Sequence, residues 1–329
     1  MRVLVVGGAG YIGSVTVEVL LDAGHRVTVF DDLSHGHLDA VDDRAVLITG
    51  STHDEAALER AFAEPPDGVI NFAALIAVGE SMRDPGSYFH NNVAGGIALL
   101  NAMVRHHVRR YVFSSTAAVF GEPEYVPLDE QHPLRPVNPY GESKLIVEQM
   151  LRWYDECHSI KSVALRYFNA SGATEKRGED HDPETHLIPI VLQVAEGTRG
   201  ALPLFGVDYP TPDGTCIRDY VHIADLAQAH VLALDYAASR SGRFNLGSGT
   251  GHSNREVIAA AKRVTGCEIA VNQQRRRAGD PPALVASSEL ARRELGWRPR
   301  FDDLDAIVDS AWRWRRAHPG GYAGGTSSA

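Results

Sequence analysis

The sequence predicts an α/β protein built on a doubly wound parallel sheet, with a smaller C-terminal α/β lid domain. Short apolar runs, typical of buried parallel strands, alternate with helical periodicity over residues 1–169. A glycine-rich turn at residues 7–13 follows the first apolar run directly. After residue 169 the connections become longer and contain more Pro and Gly. These observations divide the chain into a sheet domain, 1–169, and a lid, 170–319.

The elements of this fold can be assigned in chain order. Apolar runs predict strands at 2–6, 27–30, 46–48, 111–113, 163–167 and, in the lid, 244–246, and the fourth strand with its C-terminal loop lies at 68–74. Helical spacing predicts helices over 15–24, 54–62, 86–107, 140–157, 186–196, 224–238, 254–265 and 304–318. Some segments of the lid are expected to return to the sheet. Residues 320–329 form a low-complexity tail that is expected to be disordered.

The glycine turn is the first candidate binding site. Gly7, Gly10 and Gly13 have the Gly-x-x-Gly-x-x-Gly spacing between a strand and a helix, which is typical of Rossmann-type dinucleotide-binding domains. The first glycine permits a tight turn, the second lets the backbone approach a diphosphate, and the third lets helix and strand pack closely. Asp31 follows Gly13 by eighteen residues. Its carboxylate is expected to accept from the adenosine ribose and to repel a 2′-phosphate, which favours NAD over NADP.

The second candidate site lies on the helix after Pro139. Tyr140 and Lys144 stand four residues apart, so they share one helix face. An ammonium beside a phenol favours the phenolate and lowers the phenol pKa, which makes a general base near neutral pH. The same spacing also occurs on ordinary helix surfaces, so the glycine turn is what favours catalysis. Thr116 follows the fifth strand, which places it at the same sheet edge as Tyr140.

Composition argues against several classes of partner and site. A formal net charge of −10 disfavours nucleic acid and anionic membranes. No apolar run reaches membrane-spanning length, and a strand at the very start of the chain predicts no signal peptide. Three widely spaced cysteines are typical of reduced thiols in a cytoplasmic protein. The paired histidines at 35 and 37 and at 106 and 107 lack metal-ligand context, so no metal site is predicted.

Eight stretches together carry a family resemblance. They read GGAGYIGS (7–14), AVGES (77–81), NNV (91–93), FSST (113–116), NPYGESK (138–144), LRYFN (165–169), DYPTPDGT (208–215) and RDYVH (218–222). The chain resembles the extended short-chain dehydrogenase/reductase family and, within it, the UDP-glucose 4-epimerases, from Met1 to about Tyr322. The first and fifth stretches are common to the whole family. The RYFN and DYPTPDGT stretches are more specific to the epimerases.

The resemblance implies an isomerase of galactose metabolism. It would epimerise C4 of UDP-glucose and UDP-galactose reversibly, through a transient 4-keto sugar and NADH. Tyr140 would take the proton of the sugar 4-hydroxyl, and Thr116 would hydrogen-bond the same oxygen. Lys144 would hold the nicotinamide ribose and depress the pKa of the tyrosine. A homodimer through the two long helices, 86–107 and 140–157, is also implied.

The resemblance further implies two sets of binding residues. The NAD-binding residues would be Gly7, Gly10, Tyr11, Ile12, Gly13, Asp31, Asp32, Ser51, Thr52, Phe72, Ala73, Ala74, Asn91, Ser114, Tyr140, Lys144 and Tyr167. The UDP-sugar-binding residues would be Thr116, Tyr140, Phe168, Asn169, His186, Leu187, Leu204, Phe205, Arg218, Arg277, Asp280 and Leu284. Within the second set, Asn169, the helix start at His186-Leu187 and the two arginines would hold the diphosphate. Leu204 and Phe205 would face uracil, and Asp280 the uridine ribose.

Two departures from the family pattern concern the cofactor. Ile76 stands where many members have a lysine that reaches the cofactor diphosphate. Ser51-Thr52 replace an acidic residue and an aliphatic residue that usually meet adenine. We therefore expect weaker cofactor retention than in such members. Phe120 also stands where a tyrosine is common, which removes one hydroxyl near the active strand.

Alternative activities on the same fold are separated by a few residues. Ala117-Ala118 after Thr116 cannot transfer protons, which disfavours a nucleotide-sugar 4,6-dehydratase and a uronate decarboxylase. A non-catalytic NAD sensor is disfavoured because Thr116, Tyr140 and Lys144 are all present. UDP-glucuronate and UDP-GlcNAc 4-epimerases stay open. The intermediate size of Leu284 leaves undecided whether an N-acetyl group fits, and we favour the unsubstituted hexose.

Overall fold

A computed structural model describes residues 1–277 and 279–322. Its strands are β1 Arg2–Val6, β2 Arg26–Asp31, β3 Val46–Thr49, β4 Gly68–Asn71, β5 Arg110–Thr116, β6 Lys161–Tyr167, β7 Asn169–Ser171, β8 Leu202–Phe205, β9 Ile217–His222, β10 Gly242–Leu246, β11 Gly251–Ser253, β12 Val271–Gln274 and β13 Ala283–Leu284. Its α-helices are α1 Tyr11–Asp22, α2 Glu55–Ala61, α3 Val78–Ser81, α4 Pro85–Tyr88, α5 Gly95–Arg105, α6 Pro139–His158, α7 Leu187–Ala195, α8 Ile223–Tyr236, α9 Asn254–Thr265, α10 Glu289–Glu294 and α11 Leu304–Ala317. No helix of these described residues is long and apolar enough to cross a membrane.

A seven-stranded sheet forms the centre of the fold. Its strand order is β10-β6-β5-β4-β1-β2-β3, and every neighbouring pair is parallel. The chain runs outwards from β1 in one direction through β2 and β3, and in the other through β4, β5 and β6. In such sheets ligands bind where the direction reverses, at the carboxyl ends of the strands. The predicted fold class is confirmed.

The two faces of this sheet are buried under different helices. Successive side chains of a strand point to opposite faces. Val3 and Val5 of β1 accordingly pack with apolar residues of α1 and α8, while Leu4 and Val6 pack with those of α2, α5 and α6. This pattern explains why the strands read as continuous apolar runs rather than as alternating ones.

The long helix predicted over 86–107 is interrupted in the structure. Between α4 and α5 the backbone forms a π-helical turn, Phe89–Ala94. The turn lets the Asn92 side chain reach Leu75 and the hydroxyl of Ser143 on α6, as described below. A second difference concerns β5, which continues through Thr116 where the sequence predicted a loop after residue 113. The strand therefore carries Ser114, Ser115 and Thr116 to the sheet edge in fixed register with β6.

The C-terminal half contributes to both layers of the molecule. β10 joins the edge of the main sheet, and α8 packs on α1 beneath it. The remaining strands build two small sheets, one from β7, β9, β11 and β13 and one from β8 and β12. Sequence periodicity missed these short strands and α10, because elements of two to six residues with mixed polarity carry little periodic signal.

The described chain extends further than the sequence predicted. Tyr322 lies within the tail that was expected to be disordered from residue 320, yet its side chain is buried. Its ring stacks on His37 and packs against Trp314, and its hydroxyl accepts a 3.2 Å hydrogen bond from the Gly178 N–H. The ordered chain therefore does not end at residue 319. Residues 323–329 lie outside the described residues.

Candidate active site

The glycine turn after β1 has the geometry of an anion-binding site. Gly7 has φ of +75°, and a Cβ there would lie 2.6 Å from the backbone nitrogen of Ala73. A Cβ on Gly13 would overlap the carbonyl of Gly7. Gly10 differs, because the nearest atom to its Cβ position is 3.5 Å away. Within the described residues, no protein acceptor takes the N–H groups at the start of α1, and such groups suit a diphosphate.

Asp31, at the end of β2, is tied to this turn. Its carboxylate oxygens accept from the N–H groups of Ala9 and Leu33, both at 2.9 Å. Burial raises the pKa of Asp31, while the two hydrogen bonds lower it. Each oxygen keeps a further lone pair for a ribose hydroxyl. Asp32 instead accepts from Ser34 and is exposed, so it lies outside this arrangement.

The loop after β4 forms the next wall of the site. The side-chain oxygen of Asn71 accepts from the Ala73 N–H at 3.1 Å, and its nitrogen donates to Tyr111 at 2.9 Å. Phe72 and Ala74 are held in the same loop, with the Phe72 ring against His230. Ile76 follows, with 44% of its surface exposed, so the residue in the place of the family lysine lies at the surface. Weaker cofactor retention stays a prediction.

Asn92 is a positioning residue that the sequence did not identify. Its oxygen accepts from the Leu75 N–H at 2.8 Å, and its nitrogen donates to the Leu75 carbonyl and to the Ser143 hydroxyl. It therefore fixes the loop after β4 to α6. Asn91, the residue predicted to contact the cofactor, donates its amide to Asn92. The Asn91-Asn92 pair indicated this position in the sequence, but only the π-helical turn decides which of the two side chains faces inward.

Tyr140 and Thr116 meet at the carboxyl edge of the sheet. Asn138 caps α6 by accepting from the Gly141 N–H at 2.8 Å, and Pro139 occupies the first helical position, so Tyr140 lies in the first turn. Thr116 ends β5, and its hydroxyl accepts from the Ala118 N–H at 3.1 Å. The Thr116 hydroxyl also hydrogen-bonds the phenol of Tyr140, which partly lowers the pKa of that tyrosine.

The electrostatics of this group differ from the sequence-based expectation. We expected Lys144 to depress the pKa of Tyr140, but burial raises that pKa above its ordinary value. The Lys144 ammonium donates to the Ser114 carbonyl at 2.8 Å. Its side chain is almost fully buried, and burial lowers the pKa of Lys144 to about 7. Burial therefore shifts both the phenol and the lysine towards their neutral forms in the protein alone.

The remaining predicted cofactor residues lie along the same edge. The hydroxyl of Tyr167, at the end of β6, hydrogen-bonds the Ser114 hydroxyl, and burial raises the pKa of Tyr167. Ser51 and Thr52 follow β3, and Thr52 packs against Gly95 at the start of α5. The structure thus brings residues from the carboxyl ends of six neighbouring strands, β1 to β6, to one side of the sheet.

Several residues predicted to bind the substrate lie near the carboxyl edge of the sheet. Phe168 and Leu284 pack with the turn Ala117–Val119, which directly follows Thr116. Phe120 is buried there, with the Arg166 guanidinium 5.3 Å from its ring centre. Asn169 begins β7, and its pairing with β9 joins this region to the small sheet of the C-terminal half.

The predicted diphosphate and nucleoside residues form two pairs. Arg218 on β9 donates to Asp280 at 2.7 Å and to the Pro281 carbonyl at 3.0 Å. The Arg277 guanidinium lies 3.9 Å from the ring centre of Phe205. Both arginines are thus held by the residues predicted to contact uridine.

Leu204 differs from its predicted role, whereas His186 lies at the predicted start of a helix. The side chain of Leu204 is 2% exposed and packs into the core of the C-terminal half, so it cannot face a base as predicted. Alternation along β8 points Phe205 outwards instead. His186 precedes α7, which begins at Leu187, and its ring contacts Glu179 and Glu184.

Fold and site together define a class of protein: a Rossmann-type α/β enzyme with a tyrosine, a lysine and a threonine at its dinucleotide-binding edge. The chain belongs to the NAD dependent epimerase/dehydratase family, whose model matches residues 3–247. It is 53% identical over 327 residues to the UDP-glucose 4-epimerase of Lacticaseibacillus casei, covering 98% of this chain and 99% of that one. The resemblance found in the sequence is confirmed.

Solved structures agree with this membership. The UDP-glucose 4-epimerase from Brucella ovis in complex with NAD is 46% identical, with a TM-score of 0.92, and the match covers 94% of this chain and 97% of that one. The UDP-glucose 4-epimerase from Bifidobacterium longum in complex with NAD⁺ and UDP is 38% identical, with a TM-score of 0.94, covering 98% and 100%.

Proposed function

We propose that this protein is an NAD-dependent isomerase that inverts C4 of UDP-hexoses and so interconverts UDP-glucose and UDP-galactose. The observation that carries this proposal is the Tyr140–Thr116 hydroxyl pair beside buried Lys144, on the same sheet edge as the glycine turn. The near full-length similarity to UDP-glucose 4-epimerases supports it. Galactose metabolism is the context in which such a reaction belongs.

The residues at the sheet edge fit NAD. The turn around Gly10 and the N–H groups of Tyr11, Ile12 and Gly13 would hold the diphosphate, and Asp31 the adenosine ribose. Lys144 would hold the nicotinamide ribose. When bound, NAD would supply the redox partner of the sugar C4 and, in its oxidised form, a positive charge in a buried site.

Proton transfer falls to the protein. Tyr140 would take the proton of the sugar 4-hydroxyl as C4 is oxidised, and return it to the same oxygen when C4 is reduced from the other face. Thr116, which hydrogen-bonds the Tyr140 phenol, would relay that proton and hold the sugar oxygen. Because burial raises the pKa of Tyr140, the phenol needs neighbouring positive charge to act as a base. A protonated Lys144 on the same helix face would provide part of it.

The C-terminal half would hold the nucleotide while the sugar turns over. Arg218 and Arg277 present guanidinium groups suited to phosphate oxygens, and α7 adds a helix N-terminus. This binding energy comes from parts of the substrate remote from the reacting carbon. The wall next to Thr116 is apolar, with Phe168 and Leu284 packed on the turn Ala117–Val119, so it would leave the hexose free to present either face.

A single assay tests this proposal. Purified enzyme is incubated with UDP-galactose, and the nucleotide sugars are separated by chromatography. We expect UDP-glucose to form until the two sugars reach a constant ratio, and the same ratio when UDP-glucose is the starting material. Parallel incubations with UDP-GlcNAc and UDP-glucuronate identify the group accepted at C2 and C6. Conversion of either at a rate comparable to UDP-galactose would overturn the preference for the unsubstituted hexose.

We further propose a homodimer that pairs α5 and α6 of each copy. Trp153 on α6 and Ile97 on α5 expose 55% and 37% of their surface, which leaves apolar area for a partner. Leu100, also on α5, is fully buried in the core and leaves no area for a partner. A cytoplasmic location is proposed from three free cysteines, Cys157, Cys216 and Cys267.

A further inference from the structure

A cluster of metal-ligating side chains lies in the connection between β7 and α7. Glu179, His181, Glu184 and His186 each place one ligand atom so that all four atoms lie within 4.8 Å of one another. Among residues 1–277 and 279–322 this is the only group of three or more such side chains. No metal site was predicted from the sequence, because only the neighbouring histidines at 35 and 37 and at 106 and 107 suggested ligands. The overlooked signal is the spacing Glu-x-His-x-x-Glu-x-His.

The four side chains converge on one point. The Nδ1 atom of His186 lies 2.7 Å from Glu179 and 3.1 Å from Glu184. The Nδ1 atom of His181 lies 3.2 Å from Glu179 and 3.9 Å from Glu184. The same nitrogen of each imidazole therefore faces both carboxylates. The two nitrogens share Oε1 of Glu179 and approach different oxygens of Glu184.

Hydrogen bonds alone do not satisfy the four side chains of this cluster. An imidazole carries at most one proton on Nδ1, so neither ring can serve two carboxylates fully. His181 Nδ1 is shielded from solvent and has no hydrogen-bond partner in the described chain. The side chains of Glu179 and Glu184 are only 8% and 4% exposed. Two adjacent buried carboxylates need positive charge between them.

We propose that these four side chains bind one zinc ion. Bond lengths of about 2.0–2.2 Å to nitrogen and oxygen set ligand–ligand distances of about 3.3–3.6 Å in a tetrahedral site. The nitrogen–oxygen distances of 2.7, 3.1, 3.2 and 3.9 Å are of this order, with Oε1 of Glu184 nearer to His186 and Oε2 nearer to His181. Two imidazoles favour zinc over calcium or magnesium, which prefer oxygen ligands. Four protein ligands leave no open position, so the ion is structural.

Neighbouring groups fix the ligands in place. One Glu184 oxygen accepts from the N–H groups of Thr185 and His186, both at 2.7 Å. Such outer contacts orient metal-binding carboxylates. The centres of the Tyr11 and His181 rings lie 6.3 Å apart with the ring planes perpendicular, and the Tyr11 hydroxyl donates to the Gly172 carbonyl at 2.6 Å. The cluster therefore lies against the glycine turn.

The ion would add to the contacts that already hold this segment, such as the ion pairs of Arg177 with Glu18 and Asp42. Between β7 and α7, residues 172–186 form no helix or strand in the described structure. Loops of this length in compact proteins are usually functional. A zinc ion bound by His186 would fix the start of α7 and its distance from the glycine turn. This role does not depend on the proposed epimerase activity.

Cobalt substitution tests the site directly. Full-length protein, purified without a histidine tag and stripped with a chelator, is titrated with Co²⁺. We expect one ion per chain and the intense visible absorption of tetrahedral Co²⁺, lost on adding Zn²⁺. His181→Asn and Glu179→Gln should each abolish the absorption, while His158→Asn, an exposed histidine at the end of α6, should leave it unchanged.

A second readout covers variants that fold poorly. Lys176 exposes 69% of its side chain within the segment, so it is a site for trypsin. Zinc should slow cleavage there in the wild type at least several-fold and have no effect in His181→Asn. If the folded wild type gives no tetrahedral absorption and zinc leaves cleavage unchanged, the proposal is wrong and the cluster is a proton-sharing network of imidazoles and carboxylates.

Discussion

Tyr140 combines a buried phenol with a hydroxyl partner and a nearby lysine, and each contributes differently to its protonation. Burial raises the pKa of the phenol, and the hydrogen bond with Thr116 lowers it. Because the Lys144 ammonium donates its hydrogen bond to the Ser114 carbonyl, it does not determine the phenol pKa in the protein alone. The sequence identified both residues, but only the structure shows how deeply each is buried.

Tyr140→Phe removes the group that transfers the proton and leaves the ring in place. We expect the rate of UDP-galactose turnover to fall by about 10²–10⁴-fold, because that is the usual contribution of a general acid–base. Binding of UDP, measured by calorimetry, should change little. Tyr154→Phe, which removes a hydroxyl bonded to Asn101 away from the site, is the matched control and should keep its activity. Equal losses in both variants would contradict the assignment.

Lys144 makes stability depend on pH in a defined window. Its pKa is about 7 in the folded protein and 10.5 ordinarily, so between these values the unfolded chain binds more protons. Stability from this group is therefore lowest below pH 7 and rises up to about pH 10.5. In cofactor-free protein, the unfolding free energy of Lys144→Met should exceed that of the wild type by the largest amount at pH 6. That advantage should shrink by about 1.4 kcal/mol per pH unit above pH 7.

Urea unfolding of both proteins at several pH values measures this difference. A difference in unfolding free energy that stays constant from pH 6 to pH 10 would show that the buried ammonium is not the cause.

At the scale of the element, α6 is fixed to the sheet by a buried ion pair. Glu148 on α6 and Arg166 on β6 meet at 2.6 Å, with both side chains 1% exposed. Ser115 on β5 donates to the same carboxylate. Because α6 carries Tyr140 and Lys144, this contact sets their position relative to Thr116 at the end of β5.

Glu148→Gln leaves the Arg166 guanidinium buried without a counter-charge. Breaking such a pair costs about 3–5 kcal/mol, which urea unfolding would measure. Glu156→Gln, which breaks the exposed pair with Arg152 on the same helix, is the control and should cost about 0.5 kcal/mol or less. A loss below about 1 kcal/mol for Glu148→Gln would mean that water reaches Arg166.

Elements with strong local signals were predictable, and those made by distant contacts were not. The glycine turn, β1 and α6 follow from spacing, apolar runs and an N-cap, all of which are local. The break between α4 and α5 depends on Asn92 reaching Leu75 and Ser143, which no local pattern encodes. β9 could not be predicted for a similar reason, since its residues pair with strands that lie far away in the sequence.

At the scale of the whole molecule, the two halves share one core. Leu234 of α8, Phe244 of β10 and Trp297 pack in the same cluster as Val3 and Val5 of β1. The N-terminal and C-terminal halves of the chain, which both contribute residues to the candidate site, are therefore joined by this shared core. The sequence predicted that lid segments return to the sheet, but it could not show that Leu204 points into the lid's own core.

The proposed dimer depends on apolar surface that the single chain leaves uncovered. Trp153→Asp should convert the protein from dimer to monomer, because it places a charge on the exposed apolar surface of α6. Size-exclusion chromatography with light scattering measures the mass. Val271→Asp, on exposed β12 away from that face, is the matched control and should leave the mass unchanged. A wild-type protein of one-chain mass would end this proposal.

The central claim is that C4 is oxidised and then reduced without exchange with solvent, so that one sugar carbon changes its configuration. UDP-galactose labelled with deuterium at C4 is incubated with the enzyme in ordinary water, and the UDP-glucose formed is examined by mass spectrometry and NMR. The account predicts that the deuterium stays at C4 of the product in inverted configuration. Loss of the label to water, or its appearance at another carbon, would contradict it.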